Sequence, residues 1–136
     1  MARRFEILEH TADIGLKAWG ATLEDLFTAA TEAVADIAGT WLPGPGEEIS
    51  IEVEAADLEG LLVDWLAETL YHFDSRGGAL GGVRIASVSG GSCRGCVTLR
   101  ELQDPAQGVQ VKAVTYHQLE VARRPGGWVA TVYLDI

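Results

Sequence analysis

The stretch Ile49-Ser50-Ile51-Glu52-Val53-Glu54-Ala55-Ala56-Asp57-Leu58-Glu59-Gly60-Leu61-Leu62-Val63-Asp64-Trp65-Leu66 changes its hydrophobic period part-way along. Ile49, Ile51 and Val53 alternate with Ser50, Glu52 and Glu54, the period of two of a half-buried strand. Beyond Asp57, a residue suited to cap a helix, Leu61, Leu62, Trp65, Leu66, Thr69, Leu70 and Phe73 return every three or four positions. That spacing predicts a helix from Leu58 to about Phe73, the more deeply buried of the two helices expected, with Asp64, Glu68 and His72 off its apolar stripe.

Upstream, Leu23, Leu26, Phe27, Ala30, Val34 and Ile37 carry the same helical period over Leu23–Ala38. Thr22 is the cap, Glu24 and Asp25 suit the first turn, and Gly39 ends it. Phe5 to His10 and Leu16 to Trp19 read as short strands broken at Thr11-Ala12-Asp13, and Trp41 to Gly46 as a loop, since two prolines and two glycines deny regular bonding. Downstream, glycines 77, 78, 81 and 82 predict a loop or a bulged start to a strand. Val83–Val88 and Cys96–Leu102 form a hairpin around Ser89-Gly90-Gly91-Ser92. Asp104 to Gly108 turns into a long strand Val109–Ala122, and Pro125-Gly126-Gly127 turns that into Trp128–Ile136. The expected fold is α+β: one mainly antiparallel sheet system with two packed helices, since no βαβ alternation demands a parallel sheet. At 136 residues with 48% hydrophobic composition, one compact domain over 1–136 suffices.

Twenty acidic against ten basic residues give a net charge of −10. That repels phosphate backbones, so any RNA is expected to be contacted through another protein; acidity also serves solubility and steers toward cations or basic partners. No apolar run spans a bilayer and Met1-Ala2-Arg3-Arg4-Phe5-Glu6 lacks the apolar core of a signal peptide, so a soluble cytoplasmic protein without membrane contact is expected.

The chain closes on Val132-Tyr133-Leu134-Asp135-Ile136, where a side-chain carboxylate sits beside the α-carboxylate. Asp13, placed by the pattern in a turn, offers a third acidic group if the two ends meet. Clustered carboxylates repel one another unless a cation intervenes, and oxygen donors select a hard ion, Ca²⁺ or a hydrated Mg²⁺. Alone, Asp13 equally suits an Asx-type turn. His10, three residues earlier, is a candidate ligand or base, or a donor fixing that turn; His72 and His117 have no sequence partner. Cys93-Arg94-Gly95-Cys96 has CxxC spacing but no second pair for zinc and no helix start to stabilise a thiolate, so half-buried strand cysteines are expected. In Val111 to His117, alternation puts Lys112, Val114 and Tyr116 on one face; Lys112 is either an exposed strand lysine or a neighbour of the carboxylates.

These residues carry a resemblance to the archease family. It runs through Phe5-Glu6-Ile7-Leu8-Glu9-His10-Thr11-Ala12-Asp13-Ile14-Gly15-Leu16, Ala18-Trp19-Gly20 with Thr22-Leu23-Glu24, Leu61 to Leu66 with Leu70-Tyr71, Lys112-Ala113-Val114-Thr115-Tyr116-His117, and Tyr133-Leu134-Asp135-Ile136. The resemblance implies a non-catalytic activator of the tRNA-splicing RNA ligase that joins 3′-phosphate and 5′-hydroxyl ends, promoting ligase guanylylation and multiple turnover. It implies a metal site at Asp13, Asp135 and the main-chain or carboxylate oxygen of Ile136. Ca²⁺ is the usual ion, with Mg²⁺ or Mn²⁺ as alternatives, and Lys112 and His10 lie near the site or the partner. A chaperone-like module for RNA-modifying enzymes is the other function considered. The short stretch Asp104 to Gly108 and the Cys93/Cys96 pair depart from the family pattern.

Overall fold

The computed structural model describes residues 4–9 and 13–136. Their elements are β1 (Arg4–Glu9), β2 (Asp13–Gly20), α1 (Leu23–Ala38), β3 (Glu47–Glu54), α2 (Leu58–Arg76), β4 (Gly78–Ser89), β5 (Ser92–Glu101), β6 (Ala113–Arg124) and β7 (Gly127–Asp135). The strands form two antiparallel sheets, ordered β1-β2-β7-β6 and β3-β5-β4. This is the expected α+β class, with the strands divided into two sheets rather than one system.

The helices lie between the sheets. α1 touches β1, β2 and β7 of the larger sheet and β4 of the smaller, whereas α2 touches β6 of the larger and all three strands of the smaller. Sequence chemistry sets their ends. The Thr22 hydroxyl accepts the Asp25 N–H at 3.0 Å, and the Asp57 carboxylate accepts the Gly60 N–H at 2.7 Å. Gly39 and Gly77 terminate the helices at φ of 72° and 60°, the left-handed region glycine enters without strain. α2 runs to Arg76, a turn beyond Phe73, because nothing before Gly77 stops it. α1, rather than α2, is the more buried: ten of its 16 residues are inaccessible against nine of 19, since its alanines let both sheets approach closely. Trp65 of α2 is fully buried and its indole N–H donates to the Thr31 hydroxyl of α1 at 2.9 Å, so the largest core side chain keeps its polar atom satisfied.

The strand ends differ from the sequence reading in informative ways. β4 begins at Gly78 and passes through two register shifts, at Leu80/Gly82 and Ile85/Ser87, so Gly78, Gly81 and Gly82 belong to a bulged strand and not a loop, while Gly77 ends α2. The β4–β5 hairpin closes on Gly90 and Gly91, with φ of 60° and 77°, a two-residue turn that lets β5 start at Ser92 and carry both cysteines. β6 starts at Ala113, four residues later than expected. Between Thr115 and Glu120 it inserts four residues against the single Val132, with Gln118 at φ 52°. The bulge breaks the simple alternation predicted for this strand: Val114 packs toward the core while Tyr116 stands in solvent. Asp13, expected in a turn, is instead the first residue of β2, because Ile14, Leu16 and Ala18 bury on the inner face and hold the strand in register from its first position. His10, Thr11 and Ala12 lie outside the described residues.

Candidate functional site

β2 and β7 run antiparallel, with Ile14, Leu16 and Ala18 opposite Leu134, Val132 and Ala130. All six side chains are buried, so the odd-numbered partners on these strands face away from the core. The register then sets Asp13 directly opposite Asp135 at the end of the sheet. Side chains so paired have Cβ atoms about 5 Å apart, and like charges there repel. The next strand adds to the same end: Ala113 of β6 pairs with Asp135, and the Lys112 N–H donates to the Asp135 carbonyl at 2.8 Å. Lys112 is exposed. Ile136 follows with its side chain packed against the core, which fixes the main chain beside the carboxylates.

The structure thus brings together Asp13, Asp135, Ile136 and Lys112; His10 is outside the described residues. Among the described residues no group of three or more His, Cys, Asp or Glu gathers at one point. A metal at this end would draw on two side-chain carboxylates and main-chain oxygen. That is a hard donor set, which fits Ca²⁺, Mg²⁺ or Mn²⁺ and not a soft ion.

One row further along the same face stand Gly15, Tyr133 and Thr115. The Thr115 hydroxyl donates to the Tyr133 carbonyl at 3.1 Å and accepts the His117 N–H at 3.2 Å, replacing ladder bonds lost at the β6 bulge. The His117 ring meets the Tyr133 ring edge-on at 5.9 Å. Tyr133 was legible as a neighbour of the site, since it lies two residues from Asp135 on the same face. The alternation also puts His117 on the face of Ala113 and Thr115; its contact with Tyr133 depends on the β6–β7 pairing.

The remaining candidates separate from this end. Cys93 and Cys96 are three residues apart on one strand, an odd spacing that sends their thiols to opposite faces. Cys93 is fully buried, and burial, with the Glu24 carboxylate nearby, pushes its pKa up to about 12. Cys96 lies on the outer face, where Arg84 approaches its sulfur at 3.3 Å. Burial raises its pKa first, the Arg84 charge opposes, and Glu48 reinforces. In neither case does the balance favour the thiolate that a redox or zinc centre requires. His72 sits 3.6 Å from Glu68 one turn away on α2.

Residues 5–136 match the model of the archease protein family. A protein archease of Pyrococcus furiosus is 39% identical over 98% of this chain and 99% of its own length. That of Methanopyrus kandleri is 37% identical over 97% and 99%. The solution structure of a Methanobacterium thermoautotrophicum protein superposes with a TM-score of 0.79 at 31% identity, covering 97% of this chain and 98% of that one. A Thermotoga maritima archease, described as a possible chaperone, shares the fold at a TM-score of 0.69 and 22% identity, covering 96% of each chain.

Proposed function

Because this chain belongs to the archease family, we propose that it is a non-catalytic activator of the tRNA-splicing ligase that joins RNA 3′-phosphate and 5′-hydroxyl ends. It promotes guanylylation of the ligase and so sustains multiple turnover. The observation that supports this reading is the pairing of Asp13 with Asp135 at an exposed sheet end, with the Ile136 main chain beside them. Such an acidic tip, with Asp135 exposed, is suited to meet another protein's site.

Asp13, Asp135 and a main-chain oxygen of Ile136 would hold Ca²⁺, with Mg²⁺ or Mn²⁺ as alternatives. The ion when bound would neutralise the paired carboxylates and present a hard positive centre to phosphate oxygens. The chain's own part is to position. The β2–β7 register fixes the spacing of the two carboxylates, the Lys112 N–H holds the Asp135 carbonyl, and the Ile136 side chain anchors the end. The Lys112 ammonium, exposed at the rim, serves the partner's acidic or phosphate groups. RNA is reached through the ligase, in keeping with a net charge of −10.

The test is ligase turnover with excess RNA in the presence of wild type, Asp13→Ala and Asp135→Ala. Each variant is expected to lose the stimulation while still folding; full stimulation by both would sink the proposal. A chaperone-like role, the description given to the Thermotoga relative, makes the opposite forecast: the carboxylate variants keep full effect and no divalent ion is required.

A further inference from the structure

The face of α2 turned away from the core is not uniformly polar. Asp64, Ala67, Glu68, Tyr71 and Asp74 follow one another at three- and four-residue spacing, so they form a single stripe. Tyr71 is 65% exposed at its centre. The stripe is flanked by two grooves that share Ala67 and Tyr71. One, about 520 Å³, runs between α2 and the start of β6 over Leu70 and Val114 and ends at Lys112. The other, about 380 Å³, lies toward β3 and is walled by Val53, Glu54, Asp64 and Glu68.

Two features identify what fits here. The floor is apolar, from Ala67, Leu70, Val114 and Val53, while the walls carry the carboxylates of Glu54, Asp64, Glu68 and Asp74. Among the described residues, Lys112 stands at one end and Arg76 of α2 is already engaged with Glu47 at 2.9 Å, while the His72 ring lies 3.6 Å from Glu68 and edge-on to Tyr71 at 5.7 Å. A surface built of one exposed tyrosine, an apolar floor and surplus carboxylates suits a guanidinium, which stacks on an aromatic ring and bonds carboxylates in a fork. Burial also raises the Asp74 carboxyl above its ordinary pKa, a cost that a cation seated beside it would remove. The groove is continuous with the acidic tip, since Lys112, its end residue, bonds the Asp135 carbonyl through its N–H.

We propose that the α2 grooves around Tyr71 dock an arginine-bearing cationic segment of the same ligase that the carboxylate tip engages, giving the complex a second anchor; this rests on the activator reading above. The tip then acts on the ligase site, and the Tyr71 face supplies affinity. Aromatic residues at the centre of a docking surface commonly carry a large share of its binding energy.

The experiment measures affinity for the purified ligase, and ligase turnover in parallel, for wild type, Tyr71→Ala, the double variant Asp64→Lys/Glu68→Lys, and Asp13→Asn, with thermal melts confirming each fold. Tyr71→Ala and the double charge variant are expected to weaken binding about tenfold or more, with saturating amounts restoring stimulation. Wild-type affinity should fall with salt more steeply than that of the double variant. Hydrogen exchange of the 64–75 segment should slow on ligase binding. Unchanged affinity in both groove variants, while Asp13→Asn loses stimulation, overturns the groove and leaves the activator reading standing. A wild-type protein that neither binds nor stimulates the ligase takes both down. Self-association that Tyr71→Ala abolishes, with ligase affinity unmoved, overturns the proposal in favour of a second copy of this chain.

Discussion

Replacing Asp135 by asparagine should shift the thermal stability of the protein in opposite directions with and without calcium. Asp13 and Asp135 are directly opposed across β2 and β7. At about 5 Å in a water-like dielectric, two like charges so placed cost about 0.8 kcal/mol, and salt reduces that to about 0.5 kcal/mol. Unfolding entropy for a chain of this length converts 1 kcal/mol into about 3.5 °C. In a chelator, Asp135→Asn should therefore melt about 2–3 °C above wild type. With Ca²⁺ at one hundred times its dissociation constant, wild type gains about 2.7 kcal/mol, or about 9 °C, whereas the variant, short of a charged ligand, gains little of this. The two melting curves cross in order between the two conditions. Differential scanning calorimetry in chelator and in a calcium series reads both effects, and Asp104→Asn, on the exposed segment between β5 and β6, serves as the control for removing a negative charge. If Asp135→Asn melts at or below wild type in chelator and keeps a wild-type calcium shift, the pairing of these carboxylates around an ion is wrong.

Two further outcomes test the fold around the site. Thr31→Val keeps the side-chain shape but deprives the buried Trp65 N–H of its acceptor, 2.9 Å away; the loss should be about 1–3 kcal/mol, lowering Tm by about 4–10 °C, and a change under about 2 °C would refute that account. Cys93, held protonated by burial and Glu24 with a pKa raised from 9.0 to about 12, favours the folded state fully below pH 9. That contribution is lost as pH rises from 9 toward 12, because the unfolded thiol ionises first. Denaturant unfolding of wild type and Cys93→Ala across this window should show the stability difference between them shrinking with pH, and a constant difference would refute it.

The sequence disclosed most where a local rule decides the outcome. Both helices, with Thr22, Asp57 and Gly39 at their ends, follow from capping chemistry and the 3.6-residue period, while the last turn of α2 and its stop at Gly77 do not. β3 follows from the alternation of Ile49, Ile51 and Val53. Period alone says nothing about partners, however, so the division into two sheets and the burial of α1 between them were not legible. The β6 bulge was hidden for a related reason: Gln118 takes φ 52° without the glycine that would advertise it, so Tyr116 does not share the face of Val114 as alternation predicts, whereas His117 stays with Thr115.

The candidate site shows the same division between composition and register. Hard oxygen donors at Asp13 and Asp135 were readable from residue types, and Lys112 as a strand lysine that could neighbour them, but their meeting depends on long-range pairing. A shift of one residue between β2 and β7 would put Asp13 opposite Leu134 and turn the buried set Ile14, Leu16 and Ala18 outward. The core therefore holds the two carboxylates together, and the repulsion between them, about 0.8 kcal/mol in a water-like dielectric, is small beside the several kilocalories that burying three apolar side chains contributes. Tyr71 follows the converse logic. It falls off the helical stripe that α2 buries, its ring meets that of His72 edge-on at 5.7 Å, and its 65% exposure beside four carboxylates is what the proposed docking of a cationic segment would use.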